Sequence, residues 1–406
     1  MTRGAVDNSL VEQLFRRSAG RITATLVRTL GPAHLDLAEE AVQEALVRAL
    51  QRWPFAGVPE NPAGWLFTVA RNHVLASVRH DEVVRSRLPL LVSPDVVNLP
   101  SGDDELALMF LCCHPALPLT SQVALTLKTV GGLGVDEIAA ALLVRPAAVA
   151  QRLVRAKRWL RSDAANVLDV PAADVERLDA VLAVLYLLFN AGYNAPGGEQ
   201  AVRRELCHEA IRLCRVLVAD SRTNQPRVRA LLALMLLHGS RLAARVDAGG
   251  DLLLLADQDR SLWDQAMISE GSQVFRTACV GSESSPFHIE AAIAMCHVVL
   301  ETDWGLIVRL YDELLDVRPS PVVALNRAIA AAMAGGLDPA ELRRLREEPA
   351  LRDYPLLPAA LGALWLRAGE PAVAADCYAE ALRKPCSGPT RRFLERQLSR
   401  CGQLDR

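Results

Sequence analysis

Apolar residues return at helical spacing from one end of the chain to the other, and strand-type alternation is almost absent. In "LDLAEEAVQEALVRALQRWP", Val42, Leu46, Ala49, Leu50 and Trp53 form one stripe. Glu39, Glu40, Gln43, Glu44, Arg48 and Gln51 occupy the opposite face. Pro54 is expected to end this helix, because it has no amide hydrogen and its ring crowds the preceding turn. "PFAGVPENPAG", with three prolines and two glycines, predicts a loop. "WLFTVARNHVLASVRH" then resumes the period and is expected to bury Trp65, Leu66, Val69, Ala70 and Val74. Together these helices predict a small bundle over residues 1–85.

The pattern breaks at "SRLPLLVSPDVVNLPSGDDE", where Pro89, Pro94 and Pro100 precede Asp103, Asp104 and Glu105. This reads as an extended linker over 86–105. A second helical unit follows over 106–165, and a third, much longer helical region fills 170–406. In "LGALWLRAGEPAVAADCYAEALRKP", Leu361, Gly362, Trp365, Gly369, Ala374, Tyr378 and Ala381 fall at the spacings of a tetratricopeptide helix pair. The small residues allow close approach, and Trp365 and Tyr378 are expected to fill the space between the helices. "DWGLIVRLYDELLDVRPSPVVALNRAIAAAMAGG" reads as a looser version, whereas 175–281 shows helices without a repeat register.

Residues 132–160 read "GLGVDEIAAALLVRPAAVAQRLVRAKRWL". A short helix is expected first, with Ile138 and Leu142 on one side and the small Ala139 where a second helix crosses. Pro146 suits the first position of that second helix, where no donor is needed. So short a turn between two helices predicts a helix-turn-helix. On a helical wheel Val149, Leu153, Ala156 and Leu160 share the buried side. Ala147, Gln151, Arg155 and Arg158 lie opposite, flanked by Arg152, Lys157 and Arg161.

Charge sharpens this picture. The chain is nearly neutral, with 45 Lys+Arg, 47 Asp+Glu and a formal net charge of −2. Yet no acidic residue occurs from Ile138 to Arg161. A major groove admits one helix, with Gln and Arg reading its floor and flanking cations meeting the phosphates. The competing reading is an ordinary solvated helix face.

Other chemistry is not indicated. The 9 cysteines show no C-x-x-C spacing, and Cys112-Cys113-His114 and Cys296-His297 read as packing residues. No metalloprotease spacing, phosphate-binding glycine loop or nucleophile elbow occurs, so neither catalysis nor a cofactor is expected. The amphipathic N-terminus does not read as a signal peptide, and no apolar run approaches membrane-spanning length. A soluble, cytoplasmic protein without membrane partners is expected.

Residues 1–165 resemble the sigma-70 superfamily, specifically its extracytoplasmic-function group. Asp36, Ala38, Glu39, Val42, Gln43 and Glu44 fit the D-A-E-D-hydrophobic-V-Q-E template of region 2.1–2.2. Trp65, Leu66, Ala70, Arg71 and Asn72 fit the W-L-x-x-hydrophobic-A-R-N pattern of region 2.3–2.4. Glu137-Ile138-Ala139, Val149, Arg152-Leu153 and Arg155-Ala156-Lys157 fit region 4.2. "FLCCHPAL", "LYLLFNAGYNA" and "DQDRSLWDQAMISEG" are similar to the subgroup with a long, tetratricopeptide-like C-terminal extension.

The resemblance implies an all-α fold: a region 2 bundle, a region 4 helix-turn-helix and a helical-repeat domain. It implies a factor that directs core RNA polymerase to promoters. Asp36, Glu39, Glu40, Gln43 and Glu44 would dock on the β′ clamp helices, and the β flap would be a further contact. The loop near Trp53, Phe55 and Trp65 would hold an unstacked −10 base, with Arg71 and Asn72 on the strand. Pro146, Ala147, Ala148, Gln151, Arg152, Arg155, Lys157 and Arg158 would meet −35 DNA. The family's usual Asp after the Arg-Asn pair is Ala76 here, and its usual recognition-helix Thr is Ala148, which implies an altered promoter preference. The C-terminal region is expected to modulate activity, with docking on the N-terminal domains one possibility. The alternative is a helix-turn-helix regulator with a helical-repeat sensor, which would bind duplex DNA without polymerase.

Overall fold

The computed structural model describes residues 8–77, 102–162, 175–194 and 201–404, apart from single positions 143, 300, 353, 355 and 385. The described residues form helices and turns, with one isolated antiparallel bridge between Val246 and Leu252. None of their helices is long and apolar enough to cross a membrane. The chain divides into two compact units, Met1–Leu188 and Phe189–Arg406.

In the first unit α1 (Asn8–Leu30) leads through a 3-10 turn at Pro32–His34 into α2 (Leu35–Ala56), followed by α3 (Pro62–Ser77). Ile22, Leu26 and Leu30 of α1 share a core with Val42 and Trp53 of α2 and Leu66, Ala70 and Val74 of α3. The buried side of α2 is largely alanine, at 38, 41, 45 and 49, which lets neighbouring helices approach closely. Leu46 and Leu50 are accordingly only half-buried at the edge of the expected stripe. Trp65 and Val69 are half-buried too, and Phe67 takes a core position instead.

Pro54 does not end α2. The helix runs on to Ala56, with the Gly57 amide donating to the Trp53 carbonyl at 2.9 Å. A proline in a last turn forgoes one hydrogen bond but keeps a helical φ, so the loop shrinks to 57–61. Asn61 Oδ1 then accepts from the Gly64 amide at 2.9 Å and caps the start of α3.

The expected linker 86–105 falls mostly outside the described residues, but its acidic end does not behave as a linker. Residues 102–105 open α4 (Gly102–Cys112), which packs on α1. Asp104 is 3% exposed, accepting from Thr25 Oγ1 at 2.9 Å and pairing with Arg28 at 2.7 Å. A buried carboxylate with two such partners specifies the seating of α4 on α1. Next come α5 (Leu119–Thr129), α6 (Val135–Ala141) and α7 (Pro146–Ser162). Cys112 and Cys113 are buried, with Sγ atoms 3.2 Å and 3.6 Å from the hydroxyls of Thr129 and Thr126. Burial pushes the Cys113 thiol up to about 12, leaving it inert. Helix α8 (Val175–Tyr193) spans the division between the units.

The second unit continues with α9 (Arg204–Ala219), α10 (Pro226–Gly239), α11 (Gln265–Ala278) and α12 (Pro286–Val298). Two consecutive pairs follow around α15 (Pro339–Glu347): α13 (Trp304–Val317) with α14 (Pro321–Met333), then α16 (Leu357–Arg367) with α17 (Pro371–Arg383), and finally α18 (Gly388–Leu404). Between α16 and α17, Trp365 and Tyr378 are buried. A Cβ at Gly362 would meet the Tyr378 ring at 3.0 Å, so glycine sets the spacing of the pair. The acids of "DQDRSLWDQ" serve locally: Asp259 accepts from the Ser261 amide, and Asp264 caps α11 through the Met267 amide.

Candidate nucleic-acid interface

The helix-turn-helix is built as its residue pattern requires. Glu137 Oε2 accepts from the Gly134 amide at 2.7 Å at the head of α6, and Ile138 and Ala139 are buried where α7 passes. The turn closes through Val144 N to Ala139 O at 3.0 Å. On α7, Val149, Leu153, Ala156 and Leu160 are the buried residues. Pro146, Ala147, Gln151, Arg155 and Arg158 are exposed, while Ala148 and Arg152 are half-buried. Among the described residues Arg152, Arg155 and Arg158 form no ion pair, so this ridge stays cationic.

The remaining charge on α7 is not unpaired, and here the sequence reading needs correction. Lys157 Nζ lies 2.8 Å from Asp36 Oδ1 and 2.6 Å from Glu39 Oε2, and Arg161 pairs with the other oxygen of Asp36. Burial alone would lower the Lys157 ammonium pKa, but Glu39 and Asp36 together raise it above the ordinary lysine value. Two cations expected to flank DNA thus bind two acids expected to dock on another protein. The stretch from 138 to 161 lacks local acids because α2 supplies them across the fold.

Other contacts tighten the same junction. Asp36, Glu39, Glu40 and Gln43 of α2 line a cleft of about 220 Å³ with Ala19 and Thr23 of α1 and Lys128, Thr129 and Gly132 beyond. A Cβ at Gly20 of α1 would meet the Val130 carbonyl oxygen at 2.3 Å, so only glycine permits this approach. Asp36, Glu40 and Gln43 are exposed, while Glu39 and Glu44 are half-buried. Glu44 pairs with Arg48 at 2.7 Å, and Glu40 lies 3.7 Å from His73 Nε2.

The loop end of the α2–α3 hairpin carries the aromatic residues expected near a melted strand, with Arg71 and Asn72 farther along α3. Trp53 is 1% exposed and meets Trp65 edge-on, with ring centroids 5.4 Å apart, so it is a core residue and no stacking platform. Phe55 is 85% exposed, the barest large apolar side chain among the described residues. Asn72 is exposed; Arg71 is half-buried with its Nε unpartnered.

Over 319 residues the chain is 43% identical to an uncharacterized protein of Rhizobium meliloti (strain 1021), covering 75% of each. Sigma-70 region 2 matches residues 14–82, and sigma-70 region 4 matches residues 107–160. Over these two segments the chain is similar to the sigma-70 family. Sigma-70 regions 2 and 4 act with core RNA polymerase and promoter DNA in general. Region 2 thus comprises α1–α3, and region 4 comprises α4–α7. Residues 177–279 match a family of unknown function (DUF6596). No solved structure matches the chain.

Proposed function

We propose that this chain is a cytoplasmic initiation factor of the extracytoplasmic-function group of the sigma-70 family. It brings core polymerase to promoters through region 2 at the −10 element and region 4 at the −35 element. The observation that carries this reading is the exposed ridge of Gln151, Arg155 and Arg158, which has no acidic partner among the described residues, on a helix whose other side is buried. Such a ridge suits direct readout in a major groove. Lys157 and Arg152 would take phosphates on the flanks.

Asp36, Glu39, Glu40, Gln43 and Glu44 form the polymerase-docking face, with the β′ clamp helices as partner and the β flap as region 4's partner. In the closed arrangement part of that face is held by Lys157 and Arg161. Promoter elements centred near −10 and −35 lie about 25 base pairs apart, or roughly 80 Å at ~3.4 Å per pair. Regions in direct contact cannot occupy both. Initiation therefore requires α7 to leave α2. Core polymerase drives the change by competing for Asp36 and Glu39.

Phe55, rather than Trp53, is the base-stacking residue in this reading, with Arg71 and Asn72 on the melted strand. The C-terminal region, with its tetratricopeptide-like helix pairs, modulates activity. The test is run-off transcription with purified core polymerase on genomic fragments, using the full chain and a chain truncated near Val170. Promoter-specific transcripts with the full chain are expected. Duplex binding without polymerase and without transcripts would favour the regulator reading instead.

A further inference from the structure

The cleft between α2 and α5 holds two opposite charges that the fold leaves unpaired. One wall carries Asp36, Glu39 and Glu40 of α2, and the other carries Lys128 of α5 and Gly132 just beyond it. Asp36 and Glu39 are already engaged, because Lys157 bridges them and Arg161 takes the second oxygen of Asp36. Those two acids meet two bases, and their charge is balanced. Glu40 and Lys128 remain. Glu40 has His73 Nε2 at 3.7 Å, beyond hydrogen-bonding distance, and no other ionic neighbour among the described residues. Lys128, half-buried, forms no ion pair with the three carboxylates around it or with any other described residue.

A second observation points to the same space. Thr23, which lines the cleft, is 3% exposed, yet its hydroxyl makes no hydrogen bond among the described residues. On the same helix Thr25 and Thr29 donate to carbonyls one turn back, at 3.2 Å and 2.9 Å. Burying a hydroxyl without a partner is unfavourable, so the cleft is where Thr23 finds one. Gly132 keeps its side open: a Cβ there would meet nothing nearer than the Ala19 Cβ at 3.9 Å. The cleft measures about 220 Å³. That is below the ~300 Å³ at which pockets for drug-sized molecules begin, and it suits a molecule of amino-acid size. Among the described residues no three His, Cys, Asp or Glu side chains converge to hold a metal ion.

We propose that this cleft binds a small zwitterion, a molecule carrying both an ammonium and a carboxylate. Its ammonium pairs with Glu40, its carboxylate pairs with Lys128, and the Thr23 hydroxyl meets a polar atom at the floor. A simple cation would leave Lys128 unpaired and be repelled by it, and a simple anion would meet the same objection from Glu40. Only a ligand with both signs completes both charge-assisted contacts. Such a ligand spans α2 and α5, so it holds region 4 against region 2. That regulatory consequence rests on the reading above, in which core polymerase must part the two regions; the binding site does not.

The test is calorimetric titration of the full chain with glycine, 3-aminopropanoate, 4-aminobutyrate and 5-aminopentanoate, which set the two charges progressively farther apart. Propylammonium and butyrate serve as the separate halves, at matched ionic strength. A saturable heat is expected with at least one member of the series and with neither half. Affinity should fall by about tenfold or more in Lys128→Met and in Glu40→Gln, each losing one charge-assisted contact, and by about threefold in Thr23→Val. Thr23 is buried, so the Lys128 and Glu40 variants carry the test if Thr23→Val fails to fold. No saturable heat with any of the four, or unchanged affinity in both Lys128→Met and Glu40→Gln, would overturn the site. Equal binding of either half alone would overturn its assignment to a zwitterion. The bound ligand should also weaken the parent's affinity for core polymerase, and unchanged core affinity would overturn the regulatory role. The titration needs no polymerase, so a chain that binds the ligand but never supports transcription would refute the transcription reading and leave the site standing.

Discussion

Lys157 of α7 and Glu39 of α2 lie 2.6 Å apart across 118 residues of sequence. Both are largely buried, at 18% and 15% side-chain exposure, whereas Asp36 and Arg161 beside them are about half exposed. The inner pair is thus the stronger element, and the outer pair adds the little that exposed ion pairs usually add. A double-mutant cycle with Lys157→Met and Glu39→Gln should return a coupling of about 1 kcal/mol in denaturant unfolding, shrinking as salt is raised. Strict additivity of the two changes would mean that regions 2 and 4 do not pair this way in solution.

Gly20 offers a test that leaves every proposed DNA and polymerase contact untouched. Any side chain there collides with the Val130 carbonyl, a backbone atom that cannot swing aside. Gly20→Ala should prise region 4 from region 2, lower the unfolding temperature and tighten binding to core polymerase. Core affinity equal to the parent's, in a protein that is destabilised, would detach this packing from polymerase access.

The two aromatic residues of the α2 terminus should separate cleanly. Phe55→Ala removes an exposed side chain, so stability should change by less than about 0.5 kcal/mol. Open-complex formation should still weaken by about 1–3 kcal/mol, the worth of one base–aromatic stack. Trp53→Ala empties a core site and should cost about 3–5 kcal/mol of stability. Arg155→Ala should instead weaken duplex promoter binding by about 1–3 kcal/mol and relax one base preference. Permanganate footprinting and duplex binding assays distinguish the two effects. A Phe55→Ala protein that melts promoters normally would remove that residue from the strand path.

What was legible in the sequence divides along the range of the interactions. The four buried positions of α7 and the burial of Trp365 and Tyr378 between α16 and α17 follow from spacing within one or two helices. The Lys157–Asp36 contact does not, because no local pattern records a pairing across 121 residues. The acids 103–105 resembled a solvated linker end, yet Asp104 is buried because Thr25 and Arg28 satisfy it. Trp53 and Phe55 are neighbours of the same chemical kind, and only the turn of α2 decides which faces the core.

Acid should weaken the C-terminal unit through two histidines. Burial, then the Arg241 and Arg260 charges, hold His297 down at about 4, from an ordinary 6.5, with the Trp304 ring packed beside it. Burial, then Arg241, His297 and Arg245, push His238 well below the same value, against the Tyr193 ring. Both are neutral when folded and free to protonate when unfolded. Their stabilising contribution is complete above pH 6.5 and is lost as pH falls toward 4. Thermal unfolding across that window should show the decline, and His297→Asn should flatten it. An identical slope in the variant would assign the loss to other groups.

The most direct measurement is the distance between regions 2 and 4, free and bound to core polymerase. Spin labels at Gln51→Cys on α2 and Val154→Cys on α7 suit it, since both positions are exposed and the exposed native thiol Cys279 can be changed to Ser. The expected result is one short distance in the free protein and a shift to roughly 60–80 Å in the promoter complex, the separation two promoter elements impose. A short distance that persists in a transcribing complex, or a long one already present in the free chain, would contradict the closed-to-open mechanism.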